Sequence, residues 1–215
     1  MNRILVVGVA DPPDDVLIAN IASGDREAFA EFYRRHRAAV CRFAAHMCGS
    51  PTAAEDIVHE AFVAVMDSAS RYRAGQSTGR LWLFGIARNY VRRFRAVRPT
   101  LSLEDEAPAG DRALTIDTDP VGDIERRRHL QALRRAILAL PVRYREAVVL
   151  CDLQELSYVD AATTLGCAIG TVRSRLHRGR AMLARQLCDR LGAAAGPEPV
   201  EGCPMPPVRM SRTMS

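Results

Sequence analysis

Arg173, Ser174, His177 and Arg178 are the residues of this chain best suited to chemistry, and that chemistry is the recognition of base edges. On a helix, their spacing of i, i+1, i+4 and i+5 gathers them on one face. A guanidinium can donate two parallel hydrogen bonds to guanine O6 and N7, and a serine hydroxyl can donate or accept. Arg175, Arg180 and Arg185 fall on the flanks of that face, where contact with phosphate is the simpler role.

Such a face needs a helix held from behind, and the surrounding sequence supplies one. Ser157 can cap a helix running from Tyr158 to Leu165, with Asp160 in its first turn, where negative charge suits the helix dipole. Gly166 then suits a left-handed stop. A second helix is predicted from Gly170 or Thr171 to Leu187. Its apolar residues Val172, Leu176, Leu183 and Leu187 share a face opposite the arginines and should pack on the first helix. Two short helices joined by a tight turn, the second of them basic, read as a helix-turn-helix with its second helix in the DNA major groove. The plainer alternative is an amphipathic hairpin with a solvated basic face. Cap, turn glycine and the division of faces together favour the DNA reader.

The chain has 215 residues, 48% of them hydrophobic, enough for one or two small globular domains. Its net charge is +5, and all 30 basic residues are arginine, a bias that G+C-rich coding also produces. No run is long enough to cross a membrane. The apolar run Ile4–Ala10 is cut short by Asp11, Pro12 and Pro13, so no signal peptide is read there and a cytoplasmic protein is expected. The six cysteines form no C-x-x-C pair. His36, Cys41, His46 and Cys48 resemble a metal cluster only on paper, because His36 and Cys41 lie about 140° apart around a helix. No metal and no cofactor are expected, and Cys41 and Cys48 are read as small core residues.

Along the chain, residues 1–13 form a leader and residues 14–98 a helical domain. Phe29, Phe32, Tyr33, His36, Val40, Phe43 and Met47 make one apolar stripe of that domain. Ile57, Val58, Ala61, Phe62, Val65 and Met66 make a second, and a third helix is predicted over Leu81–Phe94. Residues 99–124 hold Pro99, Pro108, Pro120 and seven acidic residues against Arg112, and read as an extended acidic linker. Residues 125–191 form a second helical domain, and residues 192–215 read as a disordered tail. The fold class is therefore all-α, with two small helical domains on either side of an acidic linker.

Both domains carry the marks of one family. The segment LPVRYREAVVLCDLQELSYVDAATTLGCAIGTVRSRLHRGRAML resembles region 4, the −35-reading domain of the extracytoplasmic-function sigma factors of bacterial RNA polymerase. AEDIVHEAFVAVM (Ala54–Met66) is similar to the helix of region 2 that docks on the polymerase clamp, and RLWLFGIARNYVRRFR (Arg80–Arg95) to the part that opens and reads the −10 element. The resemblance implies a transcription initiation factor and no enzyme, with core RNA polymerase and promoter DNA as partners. It also implies an anti-sigma factor that masks the protein until a signal arrives.

By residue, it implies that Asp56, His59 and Glu60 dock on the polymerase, with His59 where glutamine is usual and Ala64 and Met66 where arginine and tryptophan are frequent. For the −10 element it implies a positive groove of Arg71, Arg73, Arg80, Arg88, Arg92, Arg93 and Arg95, joined by Asn89. Such a groove holds the strand freed when the duplex opens. Loop Ala74–Gly79 takes the position of the base-capturing loop. It is one residue longer than usual, with Gly79 replacing a common aromatic. Trp82 is read as a packing residue. For the −35 element the resemblance implies Arg173, Ser174, His177 and Arg178, flanked by Arg175 and Arg180. The acidic segment Glu104–Asp123 would lie toward the polymerase channels, as a nucleic-acid mimic or as a tether.

Two other readings fit parts of the sequence. A helix-turn-helix regulator that never replaces a sigma factor would need an effector or dimerisation domain, where this chain offers a docking helix and an arginine-lined helix. A metal- or redox-responsive DNA-binding protein would use the cysteines and histidines.

Overall fold

Asp25 starts the first long helix by accepting hydrogen bonds from the amides of Glu27 and Ala28 at 2.8 and 3.1 Å. That helix, α2 (Arg26–Cys48), ends at Gly49, whose φ of 83° is a left-handed stop. Ser50 caps the next, α3 (Pro51–Ser68), which opens on a proline suited to a first helical position. Ahead of them lies α1 (Asp14–Ala22). A 3₁₀ turn (Ala69–Arg71) and a loop lead from α3 to α4 (Gly79–Val97), which extends the predicted third helix at both ends. The computed structural model describes residues 11–97 and 120–192, giving the backbone alone for 120–125 and 190–192.

The second unit begins with α5 (Pro120–Ala139), then α6 (Val142–Val148), a π turn (Val149–Leu153), α7 (Tyr158–Leu165) and α8 (Ile169–Gly192). The expected linker boundary therefore moves: residues 120–124 are helical, and Pro120 marks the helix start that proline favours. Linker residues 99–119, most of the leader and the tail beyond Gly192 lie outside the described residues. α7 has the predicted bounds. Ser157 Oγ accepts from the Asp160 amide at 3.1 Å, and Gly166 sits at φ 64°.

No strand occurs among the described residues. The apolar stripes of α2, α3 and α4 meet as read from the sequence, with Phe32, Phe43 and Phe84 fully buried. Met66 departs from this. It is 48% exposed, because the turn of the helix carries it past the buried edge marked by Phe62 and Val65. His36 is buried against Phe32, with ring centroids 4.6 Å apart, and faces Asp14 at 2.8 Å. Cys41 and Cys48 pack at the core margin, and burial pushes the Cys48 thiol up to about 11, which keeps it a poor nucleophile at neutral pH.

The two units also share their interior. One apolar core runs from Ile18, Phe32 and Phe84 into Ile137, Leu150 and Leu165 of the second unit. α7 lies on α4, while α5, α6 and the π turn lie along α2. The sequence pattern predicted two bodies on a tether. Periodicity reports that a face is apolar and leaves open whether its own domain or a neighbouring one covers it.

Between the π turn and α7, Glu155 holds φ 57°, a left-handed conformation that costs a side chain about 1 kcal/mol. Glu155→Gly is expected to stabilise the fold by up to that amount, read as a rise in the urea midpoint. An unchanged or lower midpoint would show that the Glu155 side chain earns its place.

Candidate nucleic-acid and polymerase interfaces

The basic helix α8 is pinned from behind by a close crossing. A Cβ on Gly179 would stand 2.8 Å from Val148 Cγ2 and 3.4 Å from the Tyr144 carbonyl of α6, so only glycine permits this approach. Val172 and Leu176 are buried on the same side, as the pattern predicted. The opposite face presents Arg173, Ser174, His177 and Arg178, all exposed. The Arg173 guanidinium lies 5.9 Å from the Tyr158 ring centroid, a cation–π contact that orients it. Arg178 hydrogen-bonds the Tyr144 phenol and holds its pKa below the usual value.

The flanking arginines are more committed than the sequence implied. Arg175 is half-buried, 3.9 Å from Cys167 Sγ. Arg180 makes two bonds to the Asp152 carboxylate, at 3.1 and 2.6 Å, which neutralises much of its charge before any phosphate arrives.

On α3, Asp56, His59 and Glu60 are exposed beside Glu55, with Met66 and Asp67 two turns further on. Ile57, Val58, Ala61 and Phe62 bury the opposite side. The face is acidic and open and carries one large apolar side chain, so its charge favours encounter with a basic partner surface.

The arginines assigned to a groove on and before α4 divide into two groups. Arg71, Arg73, Arg92 and Arg93 are exposed, with Arg93 set 5.4 Å from the Tyr90 ring, and Asn89 is exposed among them. Arg80, Arg88 and Arg95 are held by protein. Arg80 Nη2 donates to the Gln154 carbonyl at 2.7 Å. Arg88 forks onto Glu146, Nε to Oε1 at 2.6 Å and Nη2 to Oε2 at 3.2 Å, and Nη1 reaches the Thr164 carbonyl at 3.4 Å. Arg95 points away to the Met47 carbonyl at 2.9 Å, at the end of α2, so it caps that helix and lines no groove.

Gln154, Glu146 and Thr164 all belong to the second unit, which therefore covers part of the α4 face. What stays open is a cleft of about 330 Å³ with Trp82, Asn89 and Ser77 on one wall and Thr163 and Thr164 of α7 on the other. Trp82 is half-buried and packs on Tyr72, with ring centroids 5.2 Å apart. Glu146 was missed by the sequence reading. The one signal available was a carboxylate inside the apolar run of YREAVVL, a position that demands a buried cation. Among the described residues, no group of three or more His, Cys, Asp or Glu converges to hold a metal ion, and no helix is long and apolar enough to cross a membrane.

Comparison with known proteins matches both units. Residues 32–98 match the family described as Sigma-70 region 2, and residues 130–183 the family described as Sigma-70, region 4. The chain is 38% identical over 181 residues to the ECF RNA polymerase sigma factor SigE of Mycolicibacterium smegmatis, covering 81% of this chain and 68% of that protein. It is 36% identical over 178 residues to the ECF RNA polymerase sigma factor SigM of Mycobacterium tuberculosis, covering 81% of this chain and 84% of that one. Among solved structures it resembles CnrH in complex with the cytosolic domain of CnrY, with a TM-score of 0.62 and 25% identity over 85% of this chain and 99% of that chain. It also resembles the sigma factor RpoE in complex with the anti-sigma factor NepR from Bartonella quintana, with a TM-score of 0.59 and 28% identity over 74% of this chain and 96% of that chain.

Proposed function

The chain belongs to the extracytoplasmic-function sigma factors of RNA polymerase, and from that premise we propose how its surfaces divide the work of initiation. Asp56, His59 and Glu60 on α3 dock on core polymerase. Arg173, Ser174, His177 and Arg178 on α8 read the −35 element, with Arg175 and Arg180 at the flanks. Arg71, Arg73, Arg80, Arg88, Asn89, Arg92 and Arg93 hold the opened −10 strand. RNA synthesis stays with the polymerase. The protein works in the cytoplasm and is held inactive by an anti-sigma factor, a reading supported by its likeness to a sigma factor in complex with the anti-sigma factor NepR.

The observation that carries this reading is the occurrence on one chain, in this order, of a region 2 with an open acidic docking helix and a region 4 with an exposed arginine face. The two units are also unequally ready. The docking helix is open, whereas Arg80 and Arg88 are bound to region 4. Polymerase can therefore be engaged before the −10 face is released.

The test is reconstitution. Purified protein added to core polymerase alone should start transcription at promoters mapped after its overexpression. A requirement for a second sigma factor would reduce it to a regulator. Arg173→Ala should then weaken binding at a matching −35 element by about 1–3 kcal/mol while leaving affinity for core polymerase intact. Titration with labelled promoter and labelled core separates the two, and a loss on the core side would move Arg173 out of the −35 assignment.

A further inference from the structure

Helix α1 lies ahead of the segment that matches region 2, which begins at residue 32. Its contacts nevertheless run to the loop between the 3₁₀ turn and α4. The helix is fastened to α2 at its start: Asp14 Oδ1 accepts from Arg35 Nη1 at 3.1 Å, Asp14 Oδ2 faces His36 Nε2 at 2.8 Å, and Arg35 also donates to the Pro12 carbonyl at 2.9 Å. Leu17, Ile18 and Ile21 fix it to the core.

From this base α1 reaches both ends of loop 73–78. At the far end, Gly79 lies directly beneath it. A Cβ there would stand 2.7 Å from Asp14 Cβ and 2.8 Å from Ile18 Cδ1, which is a physical reason for glycine where the family often carries an aromatic. At the near end stands Tyr72. Its hydroxyl proton is shared between the Asp15 carboxylate of α1 and the Ser77 carbonyl, the latter at 2.7 Å. Burial, then Asp15, raise the pKa of the phenol, so it remains a donor throughout the working pH range.

One side chain thus ties α1 to the mouth of the loop, and its ring packs on Trp82. Ser77 is itself a wall of the cleft that holds Trp82 and Asn89. Beyond these anchors the loop is closed by a bond from the Gln76 amide to the Arg73 carbonyl at 3.2 Å, with Gly75 at φ 87° and Ala74–Gln76 exposed at the tip.

We propose that α1 is a brace for the −10-reading loop, with Asp15 and Tyr72 as positioning residues that fix how the loop presents itself to a flipped base. The inference rests on the sigma-factor reading of loop 74–79. A loop that captures a base gains most when its shape is set beforehand, because ordering it on contact would weaken binding. Neither residue touches the docking face of α3 or the basic face of α8.

The experiment uses the full chain with core polymerase on a promoter it is shown to use, and a set of templates with each −10 base replaced in turn. Tyr72→Phe should slow open-complex formation by about tenfold, and Asp15→Ala, which leaves the bond from Tyr72 to Ser77, by less. They should also flatten the preference among −10 bases, with core affinity and −35 binding unchanged. Because Tyr72→Phe removes the bonds to both Asp15 and Ser77 and Asp15→Ala the first alone, the double variant should match Tyr72→Phe. A role in stability alone would lower the melting temperature and the overall rate without moving the base preference. Well-folded variants with the wild-type rate and base preference overturn the brace. Should Tyr72→Phe fold poorly, Asp15→Ala decides alone, since alanine suits a helix and leaves Leu17, Ile18 and Ile21 in place. Failure of the wild type to initiate with core polymerase removes the underlying reading, and the brace with it.

Discussion

Arg145→Ala is expected to lower the free energy of unfolding by about 3 kcal/mol, measured as a fall in the denaturant midpoint at unchanged slope. Arg145 is 5% exposed, and its guanidinium sits where the two units meet. Nη1 donates to the Met47 carbonyl at 2.8 Å, and Nη2 to the carbonyls of Leu140, at 3.0 Å, and Leu138. Met47 lies in the last turn of α2 and Leu138 in the last turn of α5, so one cation serves the negative ends of two helices from different units. Burial, then the neighbouring Arg95, push its pKa down to about 10, which still leaves it charged at neutral pH. Deleting it strands the Leu138 and Leu140 carbonyls, while the Met47 carbonyl keeps Arg95, and each stranded carbonyl costs about 1–3 kcal/mol before relaxation. Arg145→Met should be nearly as harmful, since restoring the packing does not satisfy the carbonyls. A loss below 1 kcal/mol in both variants would mean that water reaches this junction.

Arg88→Ala and Glu146→Ala should loosen the contact between the units alike and then part company on DNA. The pair is almost fully buried, with side-chain exposures of 16% and 6%. Removing either partner leaves the other charge uncompensated, a penalty of about 3–5 kcal/mol against the closed arrangement. Both variants should therefore show a longer distance between labels on α3 and α8. Opening frees Arg88 in the Glu146 variant, which should bind the −10 strand at least as well as wild type. On the proposed −10 role, the Arg88 variant opens without an arginine meant to hold the strand and should bind worse. Equal promoter binding by the two would refute a role for Arg88 at the −10 element. An unchanged label distance in both would show that the shared apolar core alone holds the units together.

The helices were legible because their signals are local. Ser157 and Gly166 bounded α7 in the sequence, and Asp25, Gly49 and Ser50, which the sequence reading passed over, bound α2 and start α3 by the same local chemistry. The exposed face of α8 follows from the opposite burial of Val172 and Leu176. The union of the two units was not legible. It depends on Arg88 meeting Glu146 across 58 positions and Arg145 meeting Met47 across 98, pairings that no period encodes. Seven arginines read as one positive groove turned out to have three kinds of neighbour: solvent, the second unit and a helix end. Their spacing is that of a helix face, but a face does not state which of its charges is already taken. Met66 was misplaced for the complementary reason, since an apolar residue one step past a buried edge is written no differently from one inside it.

One side chain cannot serve two ligands at once. If Arg88 holds the opened −10 strand as proposed, it is withheld from the promoter while it grips Glu146, and the apparent affinity for that strand is the intrinsic affinity scaled by the fraction of molecules with the units apart. If that fraction is about 1%, every promoter is bound roughly a hundredfold more weakly. The scaling is the same for all of them, so their rank order is kept while their occupancies fall together. Strong elements stay occupied and weak ones drop out. On that proposal Glu146 would set a threshold on promoter strength, adjustable by the domain contact alone.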